Sequence, residues 1–188
     1  MLRRIALIGV LPLLPAGICG VALAAKTFAD PVGEVKGRAG PDLTSVTLSN
    51  SASTLTFDVR FASAPPLRQS TRGKWVEMLL IGIDVPPLGP APDTAGGEWR
   101  GADFALGTHG PAKTGQLVRL GTKTSAPPRW FTAVTRGRTV SLSIPLRALG
   151  NPRWFAFDVA AAREGESQAS DGGFDVAPGK GTFRYRLS

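Results

Sequence analysis

The residues of this chain with chemistry to offer are scattered carboxylates, one histidine and four tryptophans. Asp84 closes an apolar run, Asp93 lies in the Pro/Gly-rich stretch that follows, and Asp103 opens the next candidate strand. All three can therefore gather at one end of a β-fold. Ca²⁺ takes about six to eight oxygens and accepts carbonyls from irregular loops, so calcium is the cofactor that this set would hold. The competing reading is that Asp84 and Asp103 cap strand ends by accepting from nearby backbone N–H groups. Glycoside hydrolysis needs two opposed carboxylates, and Glu77, Glu98, Asp84 and Asp103 are available. Nothing in their spacing selects a pair. The chain is read as non-enzymatic, no catalytic residue is assigned, and a two-carboxylate glycosidase is the catalytic alternative.

Other chemistries are short of parts. A serine nucleophile needs a base and an orienting group, yet His109 is the sole histidine and no Gly-x-Ser-x-Gly occurs. A conventional zinc site needs three or four Cys, His or carboxylate ligands, which this inventory does not supply. No Gly-rich loop passes from a strand into a helix, as phosphate and dinucleotide cradles require. In Arg184-Tyr185-Arg186 a period of two puts the ring opposite its arginines, which breaks a base-stacking platform, so nucleic acid is not an expected partner.

The tryptophans are the other lead, because a flat ring combines a large apolar face with specific stacking geometry. Trp99 sits beside Arg100 where a long loop meets Gly101. A carbohydrate site is expected there, with Trp99 stacking on a sugar face and Arg100 and Asp103 supplying hydrogen bonds. Trp75, Trp130 and Trp154 begin strands and are read as core or rim packing.

Strands must position these groups. Apolar residues alternate with hydroxyls over 44–49, and the alternation is strict over 55–61, with 50–54 as the hairpin loop between them. Such a rhythm places one face on a core and the other in water. The run 75–84 is apolar on both sides from Met78 onward and reads as a covered central strand. Further strands are expected at 102–106, 116–120, 130–134, 139–144, 154–161 and 182–187. Turns are expected at 107–115, 126–128, 136–138, 150–152 and 165–173. Residues 88–98 form a long loop, and long loops in compact domains are often functional. A single helical turn at 146–149 precedes Gly150. Many short strands separated by Gly/Pro-rich turns predict an all-β, antiparallel β-sandwich, jelly-roll-like, of about 8–10 strands.

Residues 1–24 read as a secretory signal peptide: Arg3-Arg4, an apolar stretch over 5–23, and Ala22-Leu23-Ala24 before the cleavage point. Residues 25–41 form an extended approach segment and 42–188 the sandwich. The only cysteine, Cys19, falls in the leader, so the mature domain is cysteine-free and must hold together by burial. About 164 residues remain, enough for one well-cored domain. The net charge of +8 falls to about +6 without Arg3 and Arg4, 20 Lys+Arg against 14 Asp+Glu. That basic surface permits attraction to acidic cell-wall polymers, anionic lipid headgroups or nucleic acid; the charges are dispersed with no run of five, and solubility is the ordinary explanation.

The order of Pro41-Asp42-Leu43-Thr44-Ser45-Val46, Leu55-Thr56-Phe57-Asp58-Val59, Leu80-Ile81-Gly82-Ile83-Asp84 and Gly101-Ala102-Asp103-Phe104-Ala105-Leu106 resembles secreted bacterial β-sandwich domains of the carbohydrate-binding-module family 9 and DOMON-like groups. The resemblance spans most of 30–187 and implies carbohydrate binding without catalysis. Such domains often carry Asp-x-Asp after the central strand, whereas here Val85-Pro86 follows Asp84 and the second carboxylate is missing. The expectation is an exported monomer, secreted or in the cell envelope, with no membrane span after leader removal. It would bind a carbohydrate or cell-envelope polymer, the alternative being a structural or protein-interaction domain.

Overall fold

The computed structural model describes residues 25–33, 35–37, 40–64, 66–72, 74–86, 101–110, 113–120, 129–165 and 173–188. The expected signal peptide, with Cys19, lies outside the described residues. Among those described, no helix is long and apolar enough to cross a membrane.

The alternating stretches become strands because pairing satisfies every backbone group while one face of each strand leaves water. Twelve form: β1 (Lys26–Ala29), β2 (Lys36–Gly37), β3 (Leu43–Asn50), β4 (Thr54–Phe61), β5 (Trp75–Asp84), β6 (Phe104–His109), β7 (Thr114–Arg119), β8 (Arg129–Arg136), β9 (Thr139–Pro145), β10 (Trp154–Gly165), β11 (Gly173–Ala177) and β12 (Phe183–Arg186). The helical turn is a 3-10 turn over Leu146–Leu149. Gly150 ends it at φ 81°, where a side chain would be strained.

The chain is all-β and antiparallel. Its strands run β1-β3-β4-β9-β8-β7-β6-β5-β10-β11-β2, with β12 also on β10. The centre is a five-strand meander, β5 to β9, flanked by β4 and β10. β8 divides its pairing: its first half, from Arg129 to Thr132, lies on β7, and its second half, from Ala133 to Arg136, lies on β9.

The two edges of this sheet come together, so the wall is nearly closed. Side chains join them. Leu43 N–H donates to Asp175 Oδ2 at 2.7 Å, and the Tyr185 hydroxyl donates to Asn50 Oδ1 at 2.9 Å. Phe28 of β1 packs on Phe183 of β12 with ring centroids 4.8 Å apart. Burial holds the Tyr185 phenol above its ordinary range.

Leu55, Phe57, Val59 and Phe61 all face the interior, as do Val140, Leu142 and Ile144. Tyr185 is buried between the exposed Arg184 and Arg186. Phe57, Phe155 and Phe157 form the aromatic centre.

Two expected elements are corrected, the strand count and one turn. Among the described residues the strands number twelve, not about 8–10, because β1, β2 and β11 were not anticipated. β1 and β2 arise within the Gly/Pro-rich 25–41 segment expected to be merely extended. In β11 the inward positions are Gly173, Asp175 and Ala177 while Phe174 and Val176 point outward, which inverts the usual pattern. The expected turn at 107–115 is also mostly strand, only the stretch 110–113 lying between β6 and β7.

Candidate functional site

Antiparallel order brings alternate strand ends to one rim. β5, β7 and β9 finish where β6, β8 and β10 begin. At that rim opens a cavity of about 630 Å³. Val85, Phe104, Leu117 and Leu149, all buried, line its floor, with Ala148 beside them. Around it stand Arg119 at the end of β7, Arg129 at the start of β8, Arg147 in the 3-10 turn and Arg153 just before β10. All four are exposed.

No carboxylate is among the described lining residues, and none of the four arginines forms a salt bridge within the described structure. Guanidinium carries a permanent charge and a planar fork of donors suited to carboxylate or phosphate. Four such groups over an apolar floor attract an anion with an apolar face. Trp154, 38% exposed, stands on the rim with Pro86 and Pro152. Arg184 lies 5.5 Å from its ring centroid and helps to hold it.

Of the residues expected to bind ligand, Trp99 and Arg100 lie outside the described residues. So do Asp93, Glu98 and the side chain of Trp130. Asp103 is buried, at 6% exposure, and its Oδ2 accepts from Val85 N–H at 2.7 Å. Its backbone also ties Ile83 to Leu120. Asp103 thus fixes the turn that leads into the cavity wall at Val85 and Pro86.

Asp84 is hydrogen-bonded to Asp103, and its carboxyl is pushed above the usual carboxylate range by burial, then by the charge of Asp103 and by that bond. Asp84 also borders a small cavity of about 60 Å³ with Asp158. Among the described residues, no three His, Cys, Asp or Glu side chains are grouped to hold a metal.

The raised pKa sets a sign. Native protein holds the Asp84 proton more tightly than unfolded chain does, so stability falls as pH rises from the ordinary Asp range through Asp84's raised value. Asp84→Asn keeps a donor toward Asp103 and removes the titration. We expect it to raise the melting temperature at neutral pH. It should also flatten the pH dependence across that window. Thermal melts between pH 4 and 8 check this, and an unchanged pH profile would remove the acid pair.

Glu77, available on sequence for two-carboxylate catalysis, is committed elsewhere. It is 1% exposed at the opposite end of the barrel, where it binds Arg163 at 2.6 Å and Arg68 at 3.0 Å. Arg163 in turn lies over the half-buried Trp75 ring at 4.2 Å. His109 ends β6 and is exposed.

Sequence reasoning missed the arginine rim. The signal was present in the strand ends: alternating strand direction assigns the last residue of β7 and the first of β8 to one rim, and likewise the residues after β9 and before β10. No protein-family model matches the chain, and no curated protein or solved structure does.

Proposed function

We propose that this is an exported, non-catalytic binding protein, with a flattened, jelly-roll-like β-sandwich that takes an anionic carbohydrate polymer of the cell envelope in its arginine-rimmed cavity. The observation that carries the reading is the set Arg119, Arg129, Arg147 and Arg153, without a salt bridge among the described residues, around about 630 Å³ of apolar-floored space, with an exposed tryptophan at its lip. Sugar rings offer a flat apolar face for Trp154, and their carboxylate or phosphate substituents suit the guanidinium forks. The layered description is supported by Phe57 of β4, which packs at 6.1 and 5.8 Å against Phe155 and Phe157 of β10. Export rests on the charged and apolar pattern of 1–24, and the carbohydrate-binding-module family 9 and DOMON resemblance agrees with this function.

Retention on acidic and neutral glycans and on cell-wall fractions tests it. We expect retention of uronate- or phosphate-bearing polymers that weakens with salt. Arg129→Ala with Arg147→Ala should reduce affinity about 100-fold, because each hydrogen bond to a charged group is worth roughly 1.5–3 kcal/mol. Equal retention by the double variant, or preference for neutral glycans, would refute the reading. Capture of a protein in place of any glycan would favour the interaction-domain alternative.

A further inference from the structure

The arginine cavity does not end at its own rim. A second concavity of about 530 Å³ shares Arg129, Arg147 and Ala148 with it and adds Phe131 and Pro145. A third, of about 440 Å³, shares Phe131 and Pro145 with the second and continues to Thr54, Thr114, Thr132 and Ser143. The three form one run.

Its cause is the divided pairing of β8. Residues 129–132 lie on β7, residues 133–136 on β9, and the change of partner splays the two strands apart. Beyond the fork, Ser143, Ile144 and Pro145 of β9 pair only with β4. The cleft between 129–132 and 143–145 therefore has a strand behind each wall and none across it. Arg129 and Thr132 alone are about 10 Å apart at the ordinary strand rise.

Chemistry changes along the run. Guanidiniums stand at one end, an apolar waist of Phe131, Pro145 and Ala148 lies in the middle, and hydroxyls gather at the other end. A hydrogen bond of 2.9 Å to Thr56 holds Ser143, and Thr114 and Thr132 are exposed. A single charged sugar fills only the arginine end. We infer that the fork between β8 and β9 is a second subsite, and that the ligand is an extended acidic polysaccharide whose charged unit sits among the arginines while following units lie along Phe131 toward Thr132. This rests on the function proposed above and adds the ligand's length and direction. An acidic peptide is the rival occupant, disfavoured because Pro145 has no N–H to offer an added strand and the far end is lined by hydroxyls.

The test measures binding of galacturonate monomer, trimer and hexamer to the whole protein, with poly-L-glutamate as a control. We expect the hexamer to bind at least about tenfold more tightly than the monomer, about 1.4 kcal/mol. Thr132→Glu should abolish that gain by repulsion and leave monomer binding unchanged, whereas Thr132→Lys should retain or increase it. Equal affinity for all lengths, or a hexamer indifferent to both variants, overturns the second subsite while the arginine cavity stands. Failure of every uronide, and of a glycerol-phosphate polymer tested beside them, to bind overturns both readings. Poly-L-glutamate binding as tightly as the hexamer, and weakened by Thr132→Glu, assigns the fork to peptide instead.

Discussion

Replacing Glu77 by glutamine is expected to destabilise the fold by about 3–5 kcal/mol, because the change leaves buried positive charge without its counter-ion. The side chain of Glu77 is 1% exposed and that of Arg163 only 12%, against 45% for Arg68. The cost therefore falls mainly on Arg163, which cannot turn to water as Arg68 can. Glu77 also accepts from Arg68 N–H at 2.8 Å, so its loss frees the segment before β5. Its hydrogen bond holds the Arg68 guanidinium above its already high ordinary value. At about 2–4 °C per kcal/mol, the melting temperature should drop by on the order of 10 °C. Glu77→Leu combined with Arg163→Met should recover most of the loss, since an apolar pair can replace a buried ion pair at little cost. Thermal and urea melts of the single and double variants check both statements. A Glu77→Gln protein as stable as the parent would show that the charges are solvated.

The second large effect belongs to Phe157. Its ring contacts Phe28, Phe57, Phe155 and Phe183 at centroid distances of 5.2–5.9 Å, and it is essentially unexposed. These neighbours come from β1, β4, β10 and β12. Phe157→Ala should cost about 3–5 kcal/mol through lost transfer energy and the cavity left behind. Phe157→Leu should cost markedly less, because it leaves a smaller void. The same two variants should bind ligand normally at temperatures where they remain folded, because Phe157 is not part of the arginine cavity. Denaturant melts measure the cost, and a loss below about 1 kcal/mol for alanine would contradict a tightly packed centre.

Strands with a dry face were legible because burial imposes a period of two. The stretch from Leu55 to Phe61 and the stretch from Val140 to Ile144 kept it without interruption. β11 was hidden because Asp175 takes an inward position to accept from Leu43 N–H, so the acid breaks the apolar pattern where the fold needs it. β1 was hidden by its own exposure, since pairing with β3 and the packing of Phe28, not a buried stripe, hold it. The cavity was illegible for another reason. Arg119, Arg129, Arg147 and Arg153 each read as an ordinary solvated charge, and only the strand order gathers them. Trp154 read as packing because a strand-initial ring has no way to announce that its face is left open. Sequence did point to Asp103 and Asp84, and their adjacency in space follows from β5 lying beside β6.

The seam between the first and last strands has a consequence for how the molecule moves. Among the described residues the other junctions in the wall carry ladders of main-chain bonds, whereas this one depends on side chains: Asp175, Tyr185, Asn50 and Lys26 through hydrogen bonds, and Phe28 against Phe183 through ring packing. Breathing of the native state should begin there, since local opening follows the fewest bonds lost. β1 and β12 could then lift away while the meander, and with it the mouth and the fork, kept their shape.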